Sequence, residues 1–277
     1  SADSVALYRD MEIGTAKPGA GAKRRVPHHL IDIVTLGEHY SAVHYAAAAD
    51  RIIENIRKRG RIPLVVGGTP LYLRSLLTGL LPGVGENHNL RRVLDRKSNE
   101  ELMSELRTID PVSADTIHPH DRKRLLRAIE IYRISGEPKS WHVARHHGQK
   151  RYQALKIGFT RARSTLHQRI DQRVEQMFES GLIDEVRGLM ARGLEKHLIK
   201  VGAIGYKETI AYLKGQFDLE KTRALIKRRT KDFARRQMSQ FRADKDIKWF
   251  SLDGNANKEV ILKLKEKISG HFQEEFA

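Results

Sequence analysis

Apolar positions recur along most of this chain at the three-to-four-residue spacing of an amphipathic helix, and only a few short runs are unbroken. From Ser41 to Arg59 the residues Val43, Tyr45, Ala46, Ile52, Ile53 and Ile56 mark a helix. Ser41 is placed to cap its start, and Gly60 stands just past its end. Ile62-Pro63-Leu64-Val65-Val66 is then a short continuous apolar run, the pattern of a strand buried on both faces in a parallel sheet. Gly67-Gly68-Thr69-Pro70 predicts the end of that strand and the start of the next helix, with Thr69 as N-cap and Pro70 in the first turn, where its missing N–H costs nothing. The first residues, Ser1 to Leu7, read as the end of another buried strand that delivers Asp3 and Ser4 into a loop. Open α/β sheets place their chemistry at such strand ends.

The strand–helix rhythm stops at the breaker cluster Leu81-Pro82-Gly83-Val84-Gly85, and roughly seventy residues of helical patterning follow. Within them Asp121 caps a helix whose Leu125, Leu126, Ile129, Ile131 and Ile134 are expected to face inward, and Gly136-Glu137-Pro138 ends it. Leu155 to Phe159 resumes as a strand. Helices are expected over 164–180, 182–192 and about 218–243, then a last strand at Ile247 to Leu252 and a charged C-terminal helix. The predicted fold is α/β: a parallel-sheet core over 1–83 and 151–277, with a helical insertion over 84–150.

Composition adds constraints. The 277 residues, 40% of them apolar, are enough for a proper core. No run of about twenty apolar residues predicts a membrane span. Zero cysteines exclude disulfides and thiolate metal sites, consistent with a cytoplasmic protein. A formal net charge of +17 favours a polyanionic partner. The charge is clustered: residues 221 to 242 carry nine basic side chains and one acid, Asp232. His142 and His146 have the i, i+4 spacing of metal ligands, but no third ligand is evident and no metal is expected there.

Seven ordered blocks carry a more specific signal. They are Asp3-Ser4 through Tyr8 to Met11-Glu12-Ile13-Gly14-Thr15-Ala16-Lys17-Pro18, then Pro27-His28-His29-Leu30-Ile31-Asp32 and Val66-Gly67-Gly68-Thr69. Ile117-His118-Pro119 with Arg124 and Arg127-Ala128-Ile129-Glu130 follows, then Arg169-Ile170 with Arg173, Ala203-Ile204-Gly205-Tyr206-Lys207-Glu208, and Ala234-Arg235-Arg236-Gln237. In this order and register the chain resembles the tRNA dimethylallyltransferases, also called tRNA isopentenyltransferases. The resemblance implies a P-loop NTPase-like core, with the phosphate loop about one strand and one helix upstream of Asp3, so that first strand and loop lie outside this sequence.

The activity so implied is transfer of a dimethylallyl group from dimethylallyl diphosphate to the exocyclic amine of the tRNA adenosine 3′-adjacent to the anticodon. Asp3 would be the base that takes the amine proton, Thr69 a hydrogen-bond donor near the diphosphate or the reacting amine, and Arg173 a diphosphate ligand. Asp3, Ser4, Val5 and Ala6 would bind the substrate nucleotide. Arg91, Lys123, Arg124, Leu125, Leu126 and Arg127 would form the tRNA grip of the insertion. Magnesium would accompany the diphosphate, and the chain is expected to act as a monomer. Two alternatives remain at this point: a non-catalytic tRNA-binding protein, and an adenylate isopentenyltransferase acting on free nucleotide.

Overall fold

The computed structural model describes residues 1–80, 85–146, 150–253 and 257–276; the expected breaker residues 81–84 and His147 lie outside them. The chain divides into two compact units, Ser1–Leu76 with Gln153–Ala277, and Leu77–Tyr152.

In the first unit the opening residues run extended, but they do not form a regular strand. The Ala2 amide donates to the Val66 carbonyl (2.7 Å), and Tyr8 makes a single parallel bridge with Val34. Ile62 to Val66 departs from expectation more sharply: it is irregular, and Leu64 and Val66 are each 70% exposed. An apolar run becomes a buried strand only where neighbours pair with both edges and cover both faces. Pro63 offers no N–H, and Val66 is bonded only to Ala2 among the described residues.

A short α1 (Ala20–Arg25), which has no apolar stripe to announce it, precedes α2 (Ala42–Lys58). Ser41 and His44 close a reciprocal cap at the start of α2, and Gly60 takes the left-handed conformation (φ +63°) after its end. The buried stripe of α2 is Ala42, Tyr45, Ala46, Ala49 and Ile53, so Val43 points outward instead of inward. Helix α3 (Pro70–Thr78) packs on it, with Tyr72 stacked on Tyr45 at 4.2 Å and the Ser75 hydroxyl donating to the Ala42 carbonyl at 2.7 Å.

The second unit is helical: α4 (His88–Leu94), α5 (Asn99–Ile109), α6 (Pro111–Thr116), α7 (Arg122–Ser135) and α8 (Lys139–His146). Leu94, Leu102, Leu106, Ile117, Leu125 and Ile129 form its core. Asp121 caps α7 through the Arg124 amide, and Gly136 ends it at φ +76°; Ile134, expected inside, is exposed on the far face. Buried Asp110 caps α6 through the Ser113 amide and accepts the Ser140 amide at the start of α8. One carboxylate thus orients two helices.

The chain then returns to the first unit with β1 (Ile157–Thr160), α9 (Arg163–Glu179), α10 (Leu182–Ala191), α11 (Glu195–Val201), α12 (Tyr206–Leu213), α13 (Leu219–Arg242), β2 (Lys248–Ser251) and α14 (Asn257–Phe276). The two strands pair in parallel, Ile157 opposite Lys248 and Thr160 opposite Ser251. Val174, Phe178, Leu182, Val186, Leu198, Tyr206 and Ile226 form the core with Met11 and Leu36. Helices α9 and α13 run antiparallel, joined by Glu175 to Arg223 and Lys227 and by Asp171 to Lys231. No helix among the described residues is long and apolar enough to cross a membrane.

The second unit depends on Glu130, which is fully buried on α7. Its carboxylate accepts two guanidinium bonds from Arg91 (2.9 and 2.8 Å), one from Arg127 (2.6 Å) and the Asn87 amide (2.8 Å). Burial alone would raise its pKa, but the bonds from Arg91, Asn87 and Arg127 outweigh it and hold the carboxyl below its ordinary 4.5. The folded value lies below the unfolded one. The stabilisation is therefore complete above pH 4.5 and is lost as pH falls below it through the depressed value. Glu130→Gln is expected to cost about 1–3 kcal/mol at neutral pH and to flatten this acid limb, read by hydrogen exchange in α7 across pH.

Candidate active site

Asp3 follows the buried Ala2 and begins a tight turn. Its Oδ1 accepts the amides of Val5 (2.8 Å) and Ala6 (3.2 Å), the local bonding that Asp makes where a chain turns. Among the described residues no hydrogen bond occupies the second oxygen, Oδ2. Next to it the Ser4 amide donates to Thr69 Oγ1 (3.0 Å), and the Thr69 hydroxyl lies 3.3 Å from Ser4 Oγ. Thr69 occupies the expected position before Pro70, but its hydroxyl is turned to Ser4 rather than to the amides of α3. The side chain is therefore taken up by Ser4, and the helix start rests on Pro70 and on the Thr69 carbonyl, which accepts the Tyr72 and Leu73 amides.

Two glycines make this convergence possible. A Cβ on Gly67 would collide with the Ala2 carbonyl, and one on Gly68 would collide with the side-chain amide of Gln237. The Thr69 amide donates to the Ala2 carbonyl (3.1 Å), and Gln237 Nε2 donates to the Gly68 carbonyl (2.6 Å).

The loop after Asp3 is held by two clamps. Buried Lys17 donates to the Tyr8 carbonyl (2.6 Å), Glu12 (3.0 Å) and Asp32 (2.5 Å). Burial would raise the Asp32 pKa, but Lys17 and Lys23 pull it below the usual range. Glu185 on α10 accepts the Glu12 and Ile13 amides (3.1 and 2.8 Å) and the Tyr206 hydroxyl (2.5 Å). Burial, and then the Glu185 carboxylate, push the Tyr206 phenol far above its ordinary value, so it stays a neutral donor. Gly14 lies so close to the Tyr206 ring that no Cβ fits. Asp10, Ala16, Leu30 and Asp32 all take positive φ, conformations that persist only where neighbouring bonds impose them.

Asp3, Ser4 and Thr69 therefore meet, Val5 packs on the core cluster, and Ala6 is buried. Arg173 and Arg169 lie exposed on α9 with no ion-pair partner among the described residues; neither is bonded into the Asp3–Thr69 cluster. In the second unit Lys123 is exposed, and Arg124 is exposed beside Asp121 at 3.2 Å. Arg91 and Arg127, expected in the tRNA grip, are partly exposed and ion-paired within the unit. Both turn onto Glu130, because a buried carboxylate without them would be costly. Leu125 is fully buried, and Leu126, partly buried, packs against the same core. His142 Nε2 is hydrogen-bonded to Ser135 Oγ (2.9 Å).

Sequence reasoning assigned no role to Lys17, Glu185, Tyr206 or Gln237. Three of them stand inside the recognised blocks, yet the partners of Tyr206 and Gln237 lie outside their blocks, Gly68 being 169 positions from Gln237. The close approach at Gly67 and Gly68 sets an order of tolerance. Gly67→Ala meets fixed backbone and is expected to cost about 1–3 kcal/mol in urea unfolding, whereas Gly68→Ala meets the end of a flexible side chain and costs less than about 1 kcal/mol.

The sequence profile of the family described as IPP transferase matches residues 6–244. A tRNA dimethylallyltransferase of Geobacter metallireducens is 41% identical over 259 residues, covering 92% of this chain and 84% of that protein. One of Thermotoga petrophila is 42% identical over 275 residues, covering 98% and 90%. Among solved structures, the full-length tRNA isopentenylpyrophosphate transferase of Bacillus halodurans superimposes with a TM-score of 0.73 at 35% identity over 99% of this chain and 87% of its own. A eukaryotic dimethylallyltransferase acting on tRNA gives 0.82 at 26% identity over 97% and 72%. With a profile match over most of its length and relatives this similar along nearly all of it, the chain belongs to the IPP transferase family.

Proposed function

We propose that this protein transfers a dimethylallyl group from dimethylallyl diphosphate to the exocyclic amine of an adenosine in tRNA, the one 3′-adjacent to the anticodon, and that it does so in the cytoplasm. The observation that carries the mechanism is the Asp3 carboxylate, with one oxygen tied by two amides and the other unbonded beside Ser4 and Thr69. The names of its relatives support tRNA as the substrate.

The amine nitrogen forms a bond to the allylic carbon as the carbon–oxygen bond to diphosphate breaks. The nitrogen's proton passes to Asp3 Oδ2, and the electron pair of the broken bond leaves with the diphosphate. The exocyclic amine is a poor nucleophile because its lone pair is delocalised into the ring, so a carboxylate that takes the proton as the bond forms lowers the barrier. Thr69 donates toward the reacting centre. Arg173, a cation without an internal partner among the described residues, would bind the departing diphosphate by a planar fork. Lys123 and Arg124 would contact tRNA phosphates, which needs charge and no base readout.

Magnesium suits this donor set only as an ion carried by the diphosphate. The described residues include no cluster of three or more metal-ligating side chains, while the hydroxyls of Ser4 and Thr69 are hard oxygen donors of the kind such an ion accepts. When bound it would neutralise charge on the leaving group.

Asp3→Asn keeps the shape of the side chain and its capping bonds but removes the proton acceptor. Prenyl transfer measured under single-turnover conditions should fall about 100- to 10,000-fold with tRNA affinity within a few-fold of the parent. Near-parental turnover would make Asp3 a capping residue only. Arg173→Ala should lower turnover by about 100- to 1,000-fold and weaken the diphosphate donor more than the tRNA. A loss confined to tRNA affinity would remove Arg173 from the leaving group.

A further inference from the structure

The peptide group joining Gly68 to Thr69 is held at both ends. Its N–H donates to the Ala2 carbonyl at 3.1 Å, and its carbonyl accepts Gln237 Nε2 at 2.6 Å. A peptide is planar, so fixing both its oxygen and its hydrogen fixes the plane. That plane sets where the Thr69 Cα lies, and hence whether Oγ1 reaches the Ser4 amide and hydroxyl. The two clamps come from distant parts of the chain, Ala2 at its start and Gln237 on α13.

Gln237 also fills a specific volume. Its amide nitrogen occupies the space where any side chain on residue 68 would begin, so the glycine and the glutamine fit each other. The helix that carries it is itself anchored. Arg223, Lys227 and Lys231 bind the α9 carboxylates, and Arg229 binds the buried carboxylate of Glu208 on α12. Gln237 therefore reaches the loop from a rigid support, while Arg235 and Arg236 beside it face solvent.

We propose that Gln237 is a positioning residue for the transfer reaction: through the Gly68 carbonyl it holds the Gly68–Thr69 peptide in the orientation that keeps the Thr69 hydroxyl in the site. It acts through Thr69 and touches no reacting atom. The inference rests on the reaction proposed above for its kinetic consequence, but not for its structural one.

The test uses the full chain carrying Gln237→Glu, which keeps the shape and loses the donor, and Gln237→Ala, each alone and with Thr69→Ala. Hydrogen exchange at the Thr69 and Tyr72 amides should quicken about tenfold in both single variants, with α7 unchanged, since one neutral hydrogen bond is lost. The turnover number should fall by about tenfold with KM for tRNA changed less than about threefold. In the Thr69→Ala background the same substitutions should cost nothing more. Unchanged exchange at Thr69 and Tyr72 overturns the proposal whatever the activity, as does a turnover loss that adds in full to that of Thr69→Ala. A parent protein that transfers no prenyl group, with the exchange effect intact, counts against the assigned reaction and leaves the positioning role standing.

Discussion

The contact on which the site depends is backbone against backbone: Gly67 lying on Ala2. Ala2 is fully buried, donates to Val66 and accepts from Thr69, and this pair of bonds brings residues more than sixty positions apart into one cluster. Any side chain on residue 67 would separate the two segments, and the Ser4–Thr69 hydrogen bonds would be lost with them. The loop that follows Asp3 is then shaped from the outside by Lys17, Glu185 and Tyr206, which turn the chain through left-handed conformations that non-glycine residues seldom adopt alone. The Asp3–Ser4–Thr69 cluster is thus assembled by loops, and the packed helices of the first unit supply the fixed points.

The large positive charge is distributed less freely than the sequence suggests. Of the basic residues on α13, Arg223, Lys227 and Lys231 meet α9 carboxylates, Arg229 meets Glu208, and Arg235 meets Asp232. Arg91 and Arg127 converge on Glu130 in the second unit. Of these carboxylates only Glu130 and Glu208 are buried, and there the cations of Arg91, Arg127 and Arg229 are needed, because removing one partner leaves the other uncompensated. Exposed pairs such as Arg235 with Asp232 contribute little stability and remain open to exchange for a phosphate. The basic residues that are exposed and have no internal ion pair among the described residues include Arg169, Arg173, Lys123 and Arg236.

Elements with a local signature were legible in the sequence. The Ser41 and Asp121 caps, the glycines at 60 and 136 and the helical stripes of α7, α9 and α13 follow from interactions within a few residues of each other. The strands β1 and β2 were legible as short runs of β-branched and aromatic residues, although their pairing with each other is not local. Ile62 to Val66 was not, because burial of an apolar run is decided by strands elsewhere in the chain. The site divides in the same way. Asp3 and Thr69 were legible because motif blocks point to them, whereas Arg127 sits in such a block and is nonetheless committed to Glu130. The 130 and 91 side chains lie 39 positions apart, a pairing that no local pattern encodes. Short helices α1, α11 and α12 left no periodic signal long enough to read.

Asp3 illustrates why a capping role and a catalytic one need not compete. A carboxylate has two oxygens, and the Val5 and Ala6 amides take only Oδ1. Those two bonds fix the side-chain torsions, and so they fix the direction in which Oδ2 points without consuming its lone pairs. In the proposed reaction a carboxylate held this way would lose little conformational freedom on meeting the amine, because the turn has already ordered it in the folded chain. Thr69 follows the same logic. Its hydroxyl accepts the Ser4 amide through one lone pair while its proton stays free to rotate between Ser4 Oγ and a substrate oxygen. Asp3 is oriented by backbone amides and Thr69 by the Ser4 amide and hydroxyl, which ties the geometry of the cluster to the loop backbone and, through Gly67 and Gly68, to the few contacts that hold it.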